Sequence, residues 1–264
     1  MPNLPLFTSI PARISRRTPD GQEAGPAWTR ACIDSWKNAG YDVVSVNAVS
    51  EAAQVRQAYS GVEVVEVQRD GSVRSGRPLV YVSDMLALMA ASGHASVAIA
   101  NADVLCLADA AAMLRGWQPQ GFAYSNRLDI DDRSGAGARQ HGGMDYLIVN
   151  TPHLEGLAAP DFLFGTPWWD YWLPLALMSR GVPGTRLSLN GLPVIAHLAH
   201  TERWNSADFM GNYTLFAHAM AVQAAIAPEA TLGLYLDVAR STSDTIHRLN
   251  PVTELPCATH RQAA

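Results

Sequence analysis

Lysine is almost missing from this 264-residue chain: Lys37 is the only one, and arginine makes up the rest of the 19 basic residues. With 24 acidic residues the formal charge is -5, which argues against a nucleic-acid binder that works by neutralising phosphates. Cysteine is scarce as well. Cys32, Cys106 and Cys257 lie far apart, form no CxxC and have no metal-ligand spacing. That excludes a disulfide framework or thiolate metal site and leaves reduced thiols in a cytoplasmic protein as the expectation. Long hydrophobic runs are absent too, since Asp, His or Pro interrupts the most apolar stretches short of a membrane span. The opening "MPNLPLFTSIPARISRR" has no basic segment before its short apolar run, so it does not read as a signal peptide. Charged residues are only 16% and hydrophobic ones 48%, a globular and not a disordered balance.

What is present is alternation. "NLPLFTSI" reads as a strand, residues 28–39 as a helix stopped by Gly40, and "YDVVSVNAV" as a second strand. Ser50 is expected to cap a short helix reaching Tyr59, with Glu51 in its first turn. "GVEVVEVQRD" follows as a strand, "GSVRSGRP" as a loop and "LVYVSDMLALMAAS" as a buried helix. "SVAIA" is then a strand running into Asn101-Ala102-Asp103. Strands alternating with helices predict βαβ units and a parallel sheet. Ligands of such sheets sit beyond the carboxyl ends of the strands, where the triplet falls.

Further on, residues 108–117 are expected to be helical, and "GFAYSNRLDIDDRSGAGARQHGG" to pass from strand into a glycine-rich loop. "MDYLIVN" and "LPVIAHLAHT" read as strands. "FGTPWWDYWLPLALMSRG" reads as a helix introduced by Thr166 and Pro167, and residues 206–249 as two helices parted near Pro228. Residues 250–264 lack periodicity and are expected to be a loose tail.

Five constellations could carry chemistry. Asn101 and Asp103 offer hard oxygen ligands for Mg²⁺ or Mn²⁺, which would neutralise a departing diphosphate; the plainer reading is that Asp103 caps a turn. In "HGGMDYLIVN", Gly142 and Gly143 permit close backbone approach before Asp145. That carboxylate could bind sugar hydroxyls or transfer a proton, or could merely be satisfied by nearby amides. "FGTPWWDYWL" sets Trp168, Trp169 and Trp172 around Asp170. Its aromatic faces could stack on a sugar while Asp170 takes a proton, or the indoles could simply fill a core. His197 and His200 would face opposite ways in a continuous strand, so at most one would join Asp103. Arg77 could meet a phosphate and Asp70 a ribose or base, against a default of surface charges.

These pieces in this order, "FTSIPARISR", "NADV", "GGMDYLIVN", "FGTPWWDYWLP" and "HLAHTERW", resemble bacterial glycosyltransferase-like proteins of the GT-A, nucleotide-diphospho-sugar transferase fold. The usual metal motif there is Asp-x-Asp, and this chain has Asn101 at its first position. The resemblance implies an α/β fold with a mixed, mostly parallel central sheet flanked by helices. Residues 1–215 would form the transferase domain, and 216–249 C-terminal helices packed on it. It implies that Thr8 and Ser9 touch the nucleotide base, and that Asp103 and Asn101, with His200, handle a Mn²⁺- or Mg²⁺-bound diphosphate. Asp145 and Asp170 would lie at the sugar-acceptor side, with Asp170 matching the base of inverting enzymes. The expected function is transfer of a sugar from a nucleotide-diphosphate donor to a hydroxyl acceptor, by a cytoplasmic enzyme without nucleic-acid partners. The alternative is a catalytically inactive nucleotide-sugar or carbohydrate-binding protein on the same fold, prompted by Asn101.

Overall fold

The computed structural model describes residues 4–17, 21–109, 113, 121–132, 134–199, 206–220 and 232–255. The chain begins as the alternation predicts. Strands β1 (Leu4–Thr8), β2 (Tyr41–Ala48) and β3 (Glu63–Val67) are joined by helices α1 (Gly25–Asn38) and α2 (Val49–Ala58). They pair in parallel, Leu6 opposite Val43 and Val46 opposite Val65. After α3 (Ser72–Ser75) and α4 (Val82–Ala90), strand β4 (Ser96–Ala100) joins the other edge of β1, again in parallel.

The second half completes the sheet differently. Strands β5 (Val104–Cys106), β6 (Phe122–Ile130) and β7 (Arg139–Asn150) are followed by helix α5 (Trp169–Ser179). Then come β8 (Gly184–Ser188), β9 (Ile195–Leu198), α6 (Ser206–Ala219), α7 (Leu232–Leu249) and β10 (Val252–Glu254). The order is β3-β2-β1-β4-β7-β6-β8-β10, with β9 beside β6 and β5 beside β9. β7 runs antiparallel to both β4 and β6, and β5 antiparallel to β9; every other pairing is parallel. The fold is therefore α/β, with a large, mostly parallel sheet flanked by helices.

Both faces of the sheet are covered, and this explains the continuous apolar strands. Side chains alternate. Val97, Ile99, Leu147 and Val149 pack towards α4 and α5, whereas Ala98, Ala100, Tyr146 and Ile148 pack towards α1. Burying Leu6, Val97 or Ile99 stabilises by roughly 1.5–3 kcal/mol each.

Several expectations change. Helix α2 starts at Val49 with no side-chain cap, so Ser50 lies inside it. "GSVRSGRP" contains the one-turn α3, begun by Asp70, whose carboxylate accepts from Ser72 N–H at 2.8 Å. β7 starts at Arg139, so the expected glycine-rich loop is partly strand; β8 had no counterpart in the pattern because Gly184, Thr185 and Arg186 dilute its apolar run. The tail expectation is corrected for residues 250–255: Asn250 and Leu255 are buried, and β10 pairs with β8, Thr253 opposite Leu187. Residues 256–264 lie outside the described residues, as does most of the expected helix over 108–117. No helix among the described residues is long and apolar enough to cross a membrane.

Candidate active site

The carboxyl ends of β1 and β4 open into a cavity of about 780 Å³. Its wall is built from local chemistry at each element. After β1 the chain turns through residues 9–17, held by two polar side chains on one face of β2. Ser45 Oγ accepts from Ile10 N–H at 2.9 Å, and Asn47 Nδ2 donates to Ile10 O at 2.8 Å. Farther along, Glu23 accepts from the backbone N–H groups of Arg16 and Gly25, and Arg16 O accepts from Ala24 N–H. The backbone of Arg16 is thus fixed from both sides, and its side chain enters the cavity.

The Asn101–Asp103 turn is fixed from α1. Trp28, Ser35 and Trp36 fall on one helix face, and each reaches the turn or β5. Trp28 Nε1 donates to Asp103 O at 2.7 Å, Trp36 Nε1 to Val104 O at 2.9 Å, and Cys106 N–H to Ser35 Oγ at 3.0 Å. Indole donors satisfied in this way let two buried tryptophans serve packing and positioning together.

The third wall comes from a bulge in β7. Ser125 pairs with Tyr146 and Arg127 with His141, so only Asn126 on β6 faces the segment from Gly142 to Asp145 on β7. Bulges re-aim side chains at the cost of ladder hydrogen bonds, which must be replaced. Here the replacements are site residues. Asn126 Nδ2 donates to His141 O, Gly143 N–H to His141 Nδ1, Met144 N–H to Asp170 Oδ2 at 3.3 Å, and Asn101 N–H to Asp145 O at 3.0 Å. The missing side chain of Gly143 matters. A Cβ there would sit 3.4 Å from Asp145 Oδ2 and 3.6 Å from Asp170 Oδ2, so both carboxylates border the same small gap.

The charges form a connected network. Arg127 bridges Asp145 and Asp129, at 2.9 Å to each. His197 bridges Asp129, 3.0 Å from Nδ1, and Asp103, 3.4 Å from Nε2. Asp103 also receives the Arg16 guanidinium, and Asp145 receives the Asn101 amide. Burial disfavours charge on His197, but Asp103 and Asp129 outweigh it and raise its pKa. Burial lowers that of His141, with Arg127 adding to the effect. Asp170 is buried as well: burial, reinforced by the nearby Asp145 charge, raises its carboxyl to about 7.

Of the residues expected from sequence, Ser9, Arg77, Asn101, Asp103, Asp145, Trp168, Trp169 and Asp170 line this cavity together. Thr8 is fully buried at the end of β1 and is not part of the lining, and Asp70 is occupied in starting α3. His200 lies outside the described residues, while His197 is in the wall. Trp168 and Trp169 are each only 1% exposed, packed against Tyr213 and Phe216 and against Phe164 respectively. They shape the wall and offer no open stacking platform. Trp168 holds a left-handed backbone at φ 86°, so the expected Thr166 cap is not formed; Thr166 Oγ1 donates to Leu163 O instead. Arg16, Arg127, Asp129 and His141 were not singled out. Arg127 and Asp129 did leave a signal, two opposite charges at i and i+2 of a largely buried strand.

A divalent cation fits these residues poorly. Asp103 is already neutralised by Arg16 and His197, and Asn101 Nδ2 is turned to Asp145. Asn101 Oδ1 is buried with no hydrogen-bond partner among the described residues. No group of three His, Cys, Asp or Glu side chains among those residues is placed to hold a metal.

No family model matches the sequence, and no curated protein does. Solved structures of similar layout include HddC from Yersinia pseudotuberculosis complexed with GMP-PN, at 8% identity and TM-score 0.41, covering 82% of this chain and 99% of that one. The inositol-1-phosphate CTP transferase from T. maritima is 10% identical at TM-score 0.42, covering 80% and 96%. The glycosyltransferase GlyE of Streptococcus pneumoniae TIGR4 is 11% identical at TM-score 0.33, covering 92% and 64%. Likeness at this level assigns no role to any residue.

Proposed function

We propose that the chain is a transferase that moves a sugar from a nucleotide-diphosphate donor to a hydroxyl acceptor. The observation that carries this reading is one cavity at the carboxyl ends of β1 and β4 whose lining combines Arg13, Arg16 and Arg77 with Asp145 and Asp170, the two carboxylates bordering the gap over Gly143. The arginines suit a diphosphate, because guanidinium groups bind phosphoryl oxygens in pairs. The carboxylates suit a hydroxyl nucleophile. A carboxylate whose pKa lies near neutrality both accepts a proton at working pH and returns it to solvent afterwards.

In this mechanism Asp170 takes the proton as the acceptor oxygen attacks the anomeric carbon of the sugar, whose bond to the diphosphate oxygen breaks to release nucleoside diphosphate. Asp145, fixed beside Asp170 by Arg127 and Asn101, raises the proton affinity that Asp170 needs. The alternative, a binding protein without turnover, is favoured by the commitment of Asn101 and Asp103 to protein partners. A thermal-shift screen with UDP, GDP, dTDP, CMP and their sugars tests the reading. Ligand at a hundred times its Kd stabilises by about 2.7 kcal/mol, and no shift with any of them would refute it. Release of nucleoside diphosphate on incubation with the bound nucleotide sugar then separates the enzyme from the binding protein.

A further inference from the structure

We propose that Arg16 neutralises the diphosphate of the donor directly, in place of a divalent cation; this rests on the transferase reading above. Three observations lead there. First, Asp103, the carboxylate expected to carry the metal, is ion-paired to Arg16 and to His197 Nε2. A cation approaching the oxygen that carries both pairs, Oδ2, would compete with a guanidinium already in place. Second, Arg16 is held for the purpose: Glu23 and Ala24 fix its backbone, and Asp103 fixes one end of its fork. Third, the rest of the fork is unused. Arg16 Nε and Nη1 are buried in the wall with no hydrogen-bond partner among the described residues. Leaving buried guanidinium donors unsatisfied is costly, and an anion arriving from outside would satisfy them.

The other arginines of the cavity divide into two groups. Arg127 is committed to Asp129 and Asp145, and Arg139 to Asp131. Arg13, exposed, and Arg77, half-buried, line the same cavity. Asp103 is then a positioning residue, holding the guanidinium at the correct angle, and not a metal ligand.

The experiment is calorimetric titration of the full chain with inorganic pyrophosphate, UDP and GDP. Each is run in metal-stripped buffer with EDTA and again with Mn²⁺ or Mg²⁺. Binding in EDTA, changed less than about threefold by either metal, is the expected result. Arg16→Gln should weaken it at least tenfold in both buffers, as loss of one charge-assisted pair requires. Arg16→Lys, which keeps the charge but not the fork, should fall between. Asp103→Asn should weaken binding by the same factor with and without metal. Binding that appears only with Mn²⁺ or Mg²⁺ overturns the inference and leaves the transferase reading standing; so does EDTA-resistant binding that Arg16→Gln does not weaken. No binding of any of the three ligands in either buffer overturns both. The wild-type comparison needs no variant to fold, and the melting temperature of each variant shows whether its own result reports on binding.

Discussion

Replacing Asp170 with Asn probes the buried carboxyl of the cavity whose pKa is raised to about 7. The carboxyl rises from 3.8 to about 7 because it is buried and faces Asp145. At roughly 1.4 kcal/mol per pKa unit, charging it in place costs on the order of 4 kcal/mol. Between about pH 4 and 7 the folded protein holds a proton that the unfolded chain has released, so stability falls as pH rises through that window. The cost is absent at pH 4 and complete above pH 7. Asn keeps an acceptor for Met144 N–H, turns its amide towards Asp145 and cannot become charged. Asp170→Asn should therefore melt close to the wild type at pH 4.5 and well above it at pH 8. At about 2–4 °C per kcal/mol for a chain of this size, the difference is roughly 8–16 °C. Differential scanning calorimetry at half-unit pH steps measures it. A constant difference across the range would show that Asp170 titrates like an exposed acid, and the case for it as a base poised near neutrality would fail. Turnover should meanwhile drop by about 10²–10⁴, the usual worth of a positioned base.

Three further outcomes follow from the same network. Gly143→Ala places a methyl 3.2 Å from His141 Nδ1 and in the gap between the two carboxylates; stability should fall by about 1–3 kcal/mol while turnover falls at least tenfold, and unchanged turnover would mean that no reacting hydroxyl uses that gap. Arg127→Met strips Asp129 and Asp145 of their shared guanidinium and should destabilise by about 3–5 kcal/mol, with part of the loss recovered by adding Asp129→Asn; urea unfolding measures both. The raised pKa of His197 adds stability that is full below about pH 6.5 and lost as pH climbs through the folded value. His197→Gln should remove that decline above neutrality, and an identical pH profile in wild type and variant would show that Asp103 and Asp129 do not hold the charged imidazole.

The sequence alone was enough for everything that short-range periodicity encodes. Leu4–Thr8, Tyr41–Ala48, Glu63–Val67 and Ser96–Ala100 read as strands from their apolar and β-branched residues, and all but the edge strand Glu63–Val67 are largely buried because helices cover both faces of the sheet there. Their alternation with helices put Asn101 and Asp103 at a strand end, where the cavity opens. Tertiary structure alone decided what those residues do. Arg16 and Asp103 are 87 positions apart, and nothing local to "PARISRR" distinguishes Arg16 from its neighbours. His197 meets Asp129 across 68 positions. The β7 bulge that turns Asp145 towards Asp170 follows from pairing with β6, and no single-strand pattern reports a register shift. Charge partnership is a property of packed distance, and a carboxylate written beside a strand end looks the same whether a metal or a guanidinium awaits it. Only the fold brought the guanidinium there.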